Sequence, residues 1–170
     1  LSQPAVIETV ADELVRYAVH AIVLDPVMVA TSGDRLLADN AINALKQRLI
    51  PLAALITPNL PEAAALLDAP LARNEEDMAV QARALCQLGA RAVLIKGGHG
   101  EGPEAVDLLL TAKGLTRLAT PRTPTRNTHG TGCTLSAAIA AGLAKGEPLE
   151  HAVQAAKAYV SAAIAAADRL

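Results

Sequence analysis

Three short, fully apolar segments occur along this chain, and each is followed at once by a polar or turn-forming stretch. The segments are residues 21–24, 53–56 and 92–95, which run into Asp25-Pro26, Thr57-Pro58-Asn59 and Lys96-Gly97-Gly98. Four apolar residues in a row with such boundaries are typical of strands buried in a parallel sheet. Segments with helical spacing of apolar residues separate them, and this alternation predicts a three-layer α/β domain with a mostly parallel sheet.

The rest of the pattern places helices and one hairpin around these strands. The predicted helices follow Pro4, span residues 42–49, run from Asn74 to Gly89, and begin behind Gly130 and behind Pro148. Residues 106–110 and 115–120 predict a β-hairpin. The sequence contains no internal repeat, low-complexity linker or second-domain boundary, so we expect residues 1–170 to form one domain or a large part of one.

Composition excludes several functional classes. The net charge is −2 and the aromatic residues are limited to Tyr17 and Tyr159, so no nucleic-acid partner is expected. No apolar run approaches the ~20 residues that a membrane span requires, so no membrane association is expected. The two cysteines, Cys86 and Cys133, form neither a disulfide framework nor a metal cluster, and they fit a cytoplasmic, reducing setting.

The polar residues behind the strands are expected to meet at one edge of the sheet. Right-handed crossovers bring the carboxyl ends of parallel strands together, and ligands bind beyond those ends. Asp25 is either a turn-forming residue or a contact of a metal ion or its water. Asn59 and Glu62 fit a helix capping box, and they also supply the hard oxygen atoms that Mg²⁺ prefers near nucleotide phosphates.

Lys96 ends a buried strand, where a charged side chain is hard to explain by packing. Gly97 and Gly98 follow it, and glycines permit a ligand to approach the backbone closely. Phosphoryl transfer requires positive charge near the leaving oxygen atoms, so a phosphate-binding role is favoured for Lys96. His99 is expected to be a loop residue without a catalytic role.

The segment Asn127-Thr128-His129-Gly130-Thr131-Gly132-Cys133-Thr134 opens a helix rich in Ala and Leu. Two glycines allow a tight turn, and the amides at the start of the helix then face one point with partial positive charge. This glycine cradle, residues 130–133, predicts an anion site, and the same field is expected to stabilise a thiolate at Cys133. Phosphoryl and acyl transfer both stay open here, although a cysteine hydrolase would also need a base such as His129.

Taken in order, these motifs resemble the ribokinase superfamily and, more closely, the hydroxymethylpyrimidine (phosphate) kinases of thiamine biosynthesis. The matching segments cover nearly the whole chain and are residues 25–28, 32–34, 56–63, 96–99 and 127–137. The resemblance implies a kinase that uses ATP and Mg²⁺ to phosphorylate an alcohol group on a small-molecule pyrimidine. A homodimer is the candidate assembly.

The resemblance also implies roles for individual residues. The amides of Gly130, Thr131 and Gly132 would hold the transferring γ-phosphoryl group. Cys133 stands where most of the superfamily carries an Asp base, and it would face the substrate hydroxymethyl as a base or an orienting group. The other implied contacts are Lys96, Asn59 and Gly98 for the nucleotide, Glu62 and Asp25 for Mg²⁺, and Val27 and Met28 for the pyrimidine.

The chain departs from the family pattern at its amino terminus, where the glycine-rich Asp-Ser strand segment and part of the lid have no counterpart. We therefore expect residues 1–170 to be the C-terminal nucleotide-binding portion of one kinase domain, without its N-terminal strands and lid. Alone, the chain is expected to bind pyrimidine poorly and to be weak or inactive in catalysis. The alternatives are a pyridoxal or hydroxyethylthiazole kinase and, from another class, a non-catalytic nucleotide-binding module.

Overall fold

The computed structural model describes residues 2–28, 37–98, 102–125 and 128–167. Within these residues the sheet has five strands in the spatial order β1-β2-β3-β4-β5. They are β1 (Val23–Leu24), β2 (Leu55–Ile56), β3 (Val93–Lys96), β4 (Glu104–Thr111) and β5 (Gly114–Pro121). The first three pair in parallel, β4 runs antiparallel to β3, and β5 runs antiparallel to β4. Four strands therefore point the same way, and the predicted mostly parallel sheet is confirmed.

Helices follow the strands as the sequence pattern predicts. They are α1 (Pro4–Arg16), α2 (Asp39–Ala44), α3 (Leu60–Leu67), α4 (Glu75–Gln87), α5 (Thr131–Ala144) and α6 (Leu149–Ala166). The helix predicted across residues 42–49 is not regular: α2 continues as a π-helix, Leu45–Leu49, and a 3₁₀ turn, Ile50–Leu52. Pro51 lies in that turn, and proline cannot continue an α-helix because it has no N–H.

The strands β1 and β2 are each two residues shorter at their start than the apolar runs predict. For β2 the reason is local. The amide of Ala53 donates to the carbonyl of Ile50 at 3.1 Å, so this residue belongs to the preceding turn rather than to the ladder. The hairpin, by contrast, is longer than predicted, since β4 and β5 pair over all eight of their residues.

Two helices begin at asparagine caps that the sequence predicts. The Asn59 side chain accepts from the Glu62 amide at 2.8 Å, and the Glu62 carboxylate accepts from the Asn59 amide at 2.8 Å, which completes a capping box at α3. Asn74 accepts from the Asp77 amide at 2.8 Å at the start of α4. The end of α4 is followed by Gly89 in the left-handed region, with φ of 105°.

The apolar core lies in two layers on the two faces of the sheet. The first layer contains buried residues of α1, α2, α3 and α4 together with Val93 and Ile95 of β3. The second contains buried residues of α5 and α6 together with Leu94 of β3 and Leu109 of β4. Since side chains alternate along a strand, Lys96 shares the face of Leu94 and points toward the layer of α5 and α6. The predicted three-layer architecture is thereby confirmed.

None of the helices within the described ranges combines the length and the apolarity that crossing a membrane requires.

Candidate active site

An ion pair joins the ends of β1 and β3. The Lys96 ammonium donates to Asp25 Oδ1 at 2.8 Å, and the two side chains are only 13% and 14% exposed. The structure thus brings together two residues that the sequence places far apart, at the sheet edge where strand ends were expected to meet. Asn59 is close as well, because it forms an isolated parallel bridge with Lys96.

Two hydroxyl groups connect this pair to the start of α5. Thr57 donates to Asp25 Oδ1 at 3.1 Å, and its oxygen lies 2.9 Å from the Ser136 hydroxyl. Ser136 in turn donates to the carbonyl of Gly132 at 3.0 Å. Thr57 and Ser136 are both buried. Sequence reasoning did not single them out, since the only local signal was a threonine at a strand end.

The glycine cradle lies directly beside the Lys96 ammonium. Gly130 is the N-cap of α5 with φ of 78°, a left-handed conformation that favours glycine. As a glycine it has no side chain to cap the helix, and no capping hydrogen bond is seen among the described residues. A Cβ added to Gly132 would lie 3.1 Å from Lys96 Nζ. The first-turn amides and the ammonium therefore converge on one region, which is the arrangement that binds a phosphate or another anion.

The second oxygen of Asp25 has no hydrogen-bond partner although it is buried. This Oδ2 is one of two such side-chain atoms among the described residues, the other belonging to Gln81. A buried carboxylate oxygen without a partner is costly, and it usually marks a position that a ligand or an ion completes.

Glu62 is a second carboxylate at this site. It is 3% exposed. Burial raises the pKa of its carboxyl, and the charge of Asp25 adds to this, whereas the amide of Asn59 and the charge of Lys96 act in the opposite direction. The charged form of a desolvated carboxylate near a second carboxylate is stabilised when a cation binds close by.

The residue set fits Mg²⁺. Within the described ranges no group of three His, Cys, Asp or Glu side chains is placed to hold a metal ion. Mg²⁺, however, is bound through one or two carboxylates, with phosphate oxygens and waters as the remaining ligands. Asp25 and Glu62 match that requirement, and the unpartnered Asp25 Oδ2 is the observation that favours it.

Cys133 lies at the surface, at the start of α5. Partial desolvation raises the pKa of its thiol, and the negative charge of Asp25 raises it further, more than the Lys96 ammonium lowers it. The thiol pKa therefore shifts in the direction opposite to the one that the helix field alone would give, because desolvation and the Asp25 carboxylate act against that field. A neutral thiol does not suit the nucleophile of a cysteine hydrolase.

The two glycines behind Lys96 have different structural roles. A Cβ on Gly97 would lie 2.0 Å from the Val106 carbonyl oxygen, so this position requires glycine because of β4 rather than because of a ligand. Around Gly98 no atom of the described residues, its chain neighbours aside, lies within 4 Å of an added Cβ, and Gly98 is exposed at the end of the strand. Gly98 is therefore the glycine that a ligand can approach.

Arg122 is a residue that sequence reasoning missed. Its guanidinium donates to the carbonyls of Gly98 at 2.6 Å, Gly102 at 3.0 Å and Glu104 at 3.0 Å. These carbonyls lie on both sides of the connection between β3 and β4. An arginine behind a strand carries no local signal for such contacts, which depend on the pairing of β4 with β5.

The two residues expected at the pyrimidine pocket lie in different environments. Met28 is 2% exposed and packs in the first core layer, whereas Val27 is 41% exposed. Val27 is thus the member of the pair whose side chain reaches solvent. His99, Asn127 and the Ser32-Gly33-Asp34 segment lie outside the described residues.

A shallow cleft of about 190 Å³ opens beside the cradle. It lies between the start of α5 and the second half of α6, and its lining residues are His129, Thr131, Thr134, Val160, Ala163 and Ile164. Its walls combine the polar first turn of α5 with apolar side chains of α6. The cleft therefore adjoins the anion site with a surface suited to an uncharged part of a ligand.

The fold and the anion site together define a ribokinase-like α/β domain, and solved structures support this assignment. The phosphomethylpyrimidine kinase of Clostridium difficile 630 superposes with a TM-score of 0.81 at 38% identity, covering 96% of this chain and 66% of that one. The pyridoxal kinase of Staphylococcus aureus, solved with AMP-PCP and pyridoxal, gives a TM-score of 0.89 at 32% identity, covering 96% and 59%.

Sequence relatives narrow the class to one family. The family described as phosphomethylpyrimidine kinase matches residues 1–170. The hydroxymethylpyrimidine/phosphomethylpyrimidine kinase of Rhizobium meliloti is 57% identical over the whole chain, and that of Escherichia coli K12 is 51% identical. The chain belongs to the phosphomethylpyrimidine kinase family, and it spans 64% of the length of these two relatives. The family resemblance drawn from the motifs is confirmed.

Proposed function

We propose that this chain carries the phosphoryl-transfer site of a kinase that phosphorylates 4-amino-5-hydroxymethyl-2-methylpyrimidine and its monophosphate in thiamine biosynthesis, with ATP as donor. The observation that carries the proposal is the Lys96 ammonium, held by Asp25 at the start of the uncapped helix α5. Relatives that bear this enzyme's name support the choice of substrate. The two free cysteines favour a cytoplasmic enzyme.

In this proposal the cradle receives the γ-phosphoryl group. The amides of Gly130, Thr131 and Gly132 supply donors at a helix amino terminus, and Lys96 neutralises charge that develops on the phosphate oxygens. Gly98 leaves space for the nucleotide at the end of β3. The transfer forms a bond between the acceptor oxygen and the γ-phosphorus, while the bond to the β,γ-bridging oxygen breaks and ADP leaves. The acceptor is the hydroxymethyl oxygen of the pyrimidine, whose proton passes to solvent, or a phosphate oxygen of its monophosphate.

Asp25 and Glu62 would hold Mg²⁺ in this proposal, with Asn59 beside them. When bound, Mg²⁺ neutralises charge on the phosphate oxygens and helps to orient them. The capping box holds Asn59 and Glu62 rigidly at the start of α3, because each side chain accepts a hydrogen bond from the backbone amide of the other residue. The role of Thr57 is to orient Asp25 so that Oδ1 faces Lys96 and Oδ2 stays available.

On the acceptor side we assign Cys133 an orienting role. Its raised pKa keeps the thiol neutral at physiological pH. Phosphoryl transfer through a loose transition state needs little base assistance, so positioning of the hydroxymethyl oxygen contributes more than proton removal. Val27 contributes an exposed apolar surface for the pyrimidine, and Met28 supports it from the core.

Isothermal titration of the 170-residue chain with AMP-PCP and Mg²⁺ tests the nucleotide site. The chain should bind, and Lys96→Met should weaken binding by about tenfold or more, because a hydrogen bond to a charged group contributes ~1.5–3 kcal/mol. Lys145→Met is the matched control, since this exposed lysine lies at the opposite end of α5. Asp25→Asn should reduce the dependence of binding on Mg²⁺. A wild-type chain that shows no binding at millimolar AMP-PCP would contradict the proposal.

Turnover is measured separately by ADP formation with the hydroxymethylpyrimidine and with pyridoxal as competing acceptors. Pyridoxal is the second candidate because pyridoxal kinases superpose with TM-scores of 0.88 and 0.89, above the 0.81 of the phosphomethylpyrimidine kinase. The higher sequence identity to the pyrimidine kinases, 57%, favours the first acceptor. Turnover by the chain alone is expected to be weak, because it spans only 64% of the length of these relatives. Nucleotide binding with no detectable turnover of either acceptor would support a non-catalytic module.

A further inference from the structure

A second ion pair lies buried next to the site and has no part in the proposed chemistry. Lys157 of α6 donates to Asp107 Oδ2 of β4 at 2.6 Å, and the side chains are 10% and 9% exposed. Lys157 also donates to the carbonyl of Ala105 at 3.0 Å. The other carboxylate oxygen, Asp107 Oδ1, accepts from the amide of Gly97 at 2.9 Å.

The Asp107–Gly97 contact occurs where β3 leaves its ladder. The pairing of β3 with β4 ends at Lys96 opposite Asp107. At the next residue the backbones of Gly97 and Val106 approach so closely that an added Cβ would lie 2.0 Å from the Val106 carbonyl oxygen. The Gly97 amide thus donates to a side chain at the point where the ladder ends, and Asp107 supplies the acceptor there.

The hydrogen bonds at this end of the ladder fix the backbone that carries the Lys96 side chain. The amide of Lys96 donates to the carbonyl of Pro58 at 2.8 Å, and the amide of the next residue is held by Asp107, so the peptide units on both sides of Lys96 are anchored. Its side chain then extends to Asp25 and to the backbone of Gly132. A buried carboxylate acting as such an anchor requires a compensating cation, and Lys157 supplies it from α6.

We propose that Asp107 and Lys157 are positioning residues that hold the backbone at Lys96 and thereby direct its ammonium to the glycine cradle. The catalytic importance of this positioning rests on the proposed phosphate-binding role of Lys96. The positioning of the ammonium group itself is independent of that role. A merely structural ion pair would change the free energy of unfolding when removed, without changing the environment of the Lys96 ammonium. The two cases are distinguishable.

Two neutral double variants separate charge burial from the anchor. Asp107→Asn/Lys157→Met removes both charges and keeps a carbonyl oxygen for the Gly97 amide. Asp107→Val/Lys157→Met removes both charges and the acceptor as well. Each is compared with the wild-type chain by circular dichroism, so that only folded proteins are interpreted. If the valine variant does not fold, Asp107→Ala/Lys157→Met replaces it with the same expected results.

The first readout needs no nucleotide. The ¹⁵N resonance of the Lys96 ammonium, assigned with Lys96→Met, reports the contact with Asp25. It should stay at the wild-type position in the asparagine variant and shift or broaden in the valine variant. Amide hydrogen exchange at Gly97 should be accelerated only in the valine variant. An unchanged Lys96 resonance in the valine variant, or equal changes in both variants, would overturn the proposal.

The second readout is AMP-PCP affinity with Mg²⁺. The asparagine variant should bind within about threefold of wild type, and the valine variant about tenfold more weakly, which corresponds to ~1.4 kcal/mol. In a Lys96→Met background the two variants should bind equally, because the anchor acts through Lys96. A tenfold difference that persists in that background would refute the positioning role. A wild-type chain that does not bind AMP-PCP would remove the proposed function, while the resonance data would still decide the positioning.

Discussion

Alanine at Gly97 should destabilise the protein strongly, whereas alanine at the neighbouring Gly98 should not. A Cβ on Gly97 would lie 2.0 Å from the carbonyl oxygen of Val106 and 3.2 Å from its carbonyl carbon. Both atoms belong to the backbone of β4, which pairs with β5 at Val106 and with β3 from Asp107 onward, so it has little freedom to move. Among the residues that the structure describes, apart from its chain neighbours, no atom lies within 4 Å of a Cβ added to Gly98. The two positions therefore provide a matched pair for the same substitution.

The magnitude follows from the displacement that the clash demands. The Cβ–oxygen distance must open from 2.0 Å to at least 3.0 Å, and a shift of that size breaks the 2.9 Å bond from the Gly97 amide to Asp107. Loss of a hydrogen bond to a charged group costs ~1.5–3 kcal/mol. Displacement of β4 adds a packing cost, so we expect a loss of about 2–4 kcal/mol, a large part of the ~5–15 kcal/mol of a typical domain. Gly98→Ala should change stability by less than ~1 kcal/mol, and in the stabilising direction, because alanine restricts the unfolded chain.

Urea denaturation followed by far-ultraviolet circular dichroism measures both effects. With a slope of ~1–3 kcal/mol per molar urea, the midpoint of Gly97→Ala should fall by about 1–2 M, and that of Gly98→Ala should change by less than ~0.5 M. Equal midpoints for the two variants would refute the reasoning. Such a result would mean that β4 accommodates the methyl group and that the close approach at Val106 imposes no constraint.

Three further predictions concern titration and loop anchoring. The pKa of Glu62 is raised in the folded protein, so the stability that its protonated form contributes should be lost as pH rises from ~4 through that pKa. Glu62→Gln should therefore flatten the dependence of Tm on pH. Parallel curves of Tm against pH for wild type and variant would contradict this. The rate of Cys133 alkylation by iodoacetamide, measured by peptide mapping, should reach half its maximum at a pH above the ordinary pKa of a thiol. Asp25→Asn should lower that midpoint pH. A wild-type midpoint near neutrality would be inconsistent with the raised pKa. Arg122→Gln removes three hydrogen bonds to carbonyl groups and should lower Tm by several degrees, at ~2–4 °C per kcal/mol. The control Arg83→Gln, on the exposed surface of α4, should leave Tm unchanged. Equal Tm values for the two variants would show that the Arg122 contacts are not stabilising.

Local rules predicted the features that depend on neighbouring residues. The capping box of Asn59 and Glu62 follows from a spacing of three residues, and both of its hydrogen bonds are present. The hairpin follows from two neighbouring strand-like segments joined by a short stretch that ends in glycine, and β4 and β5 pair along their full length. The meeting of Asp25 with Lys96 follows from one topological rule, because parallel strands end at the same edge of a sheet.

Other features were not predictable because they join residues that are distant in sequence through tertiary packing. Thr57 contacts Ser136 only because β2 lies against the start of α5. Asp107 pairs with Lys157 only because α6 packs over β4. In each case the local sequence offers no more than a polar residue at a position that a half-buried strand or helix tolerates.

The sequence by itself determined the α/β architecture, the family and the identity of the residues around the glycine cradle, since each depends on periodicity or on motifs within a few residues. Only the tertiary structure decided the chemical state and the constraints of those residues. The helix field alone favours a thiolate at Cys133, but desolvation and the Asp25 carboxylate raise the thiol pKa. Gly97 has the pattern of a ligand-facing glycine, but the Val106 carbonyl is what requires it. The physical reason is common to both: charge and excluded volume act through space, and a one-dimensional pattern does not record which distant atoms lie nearest.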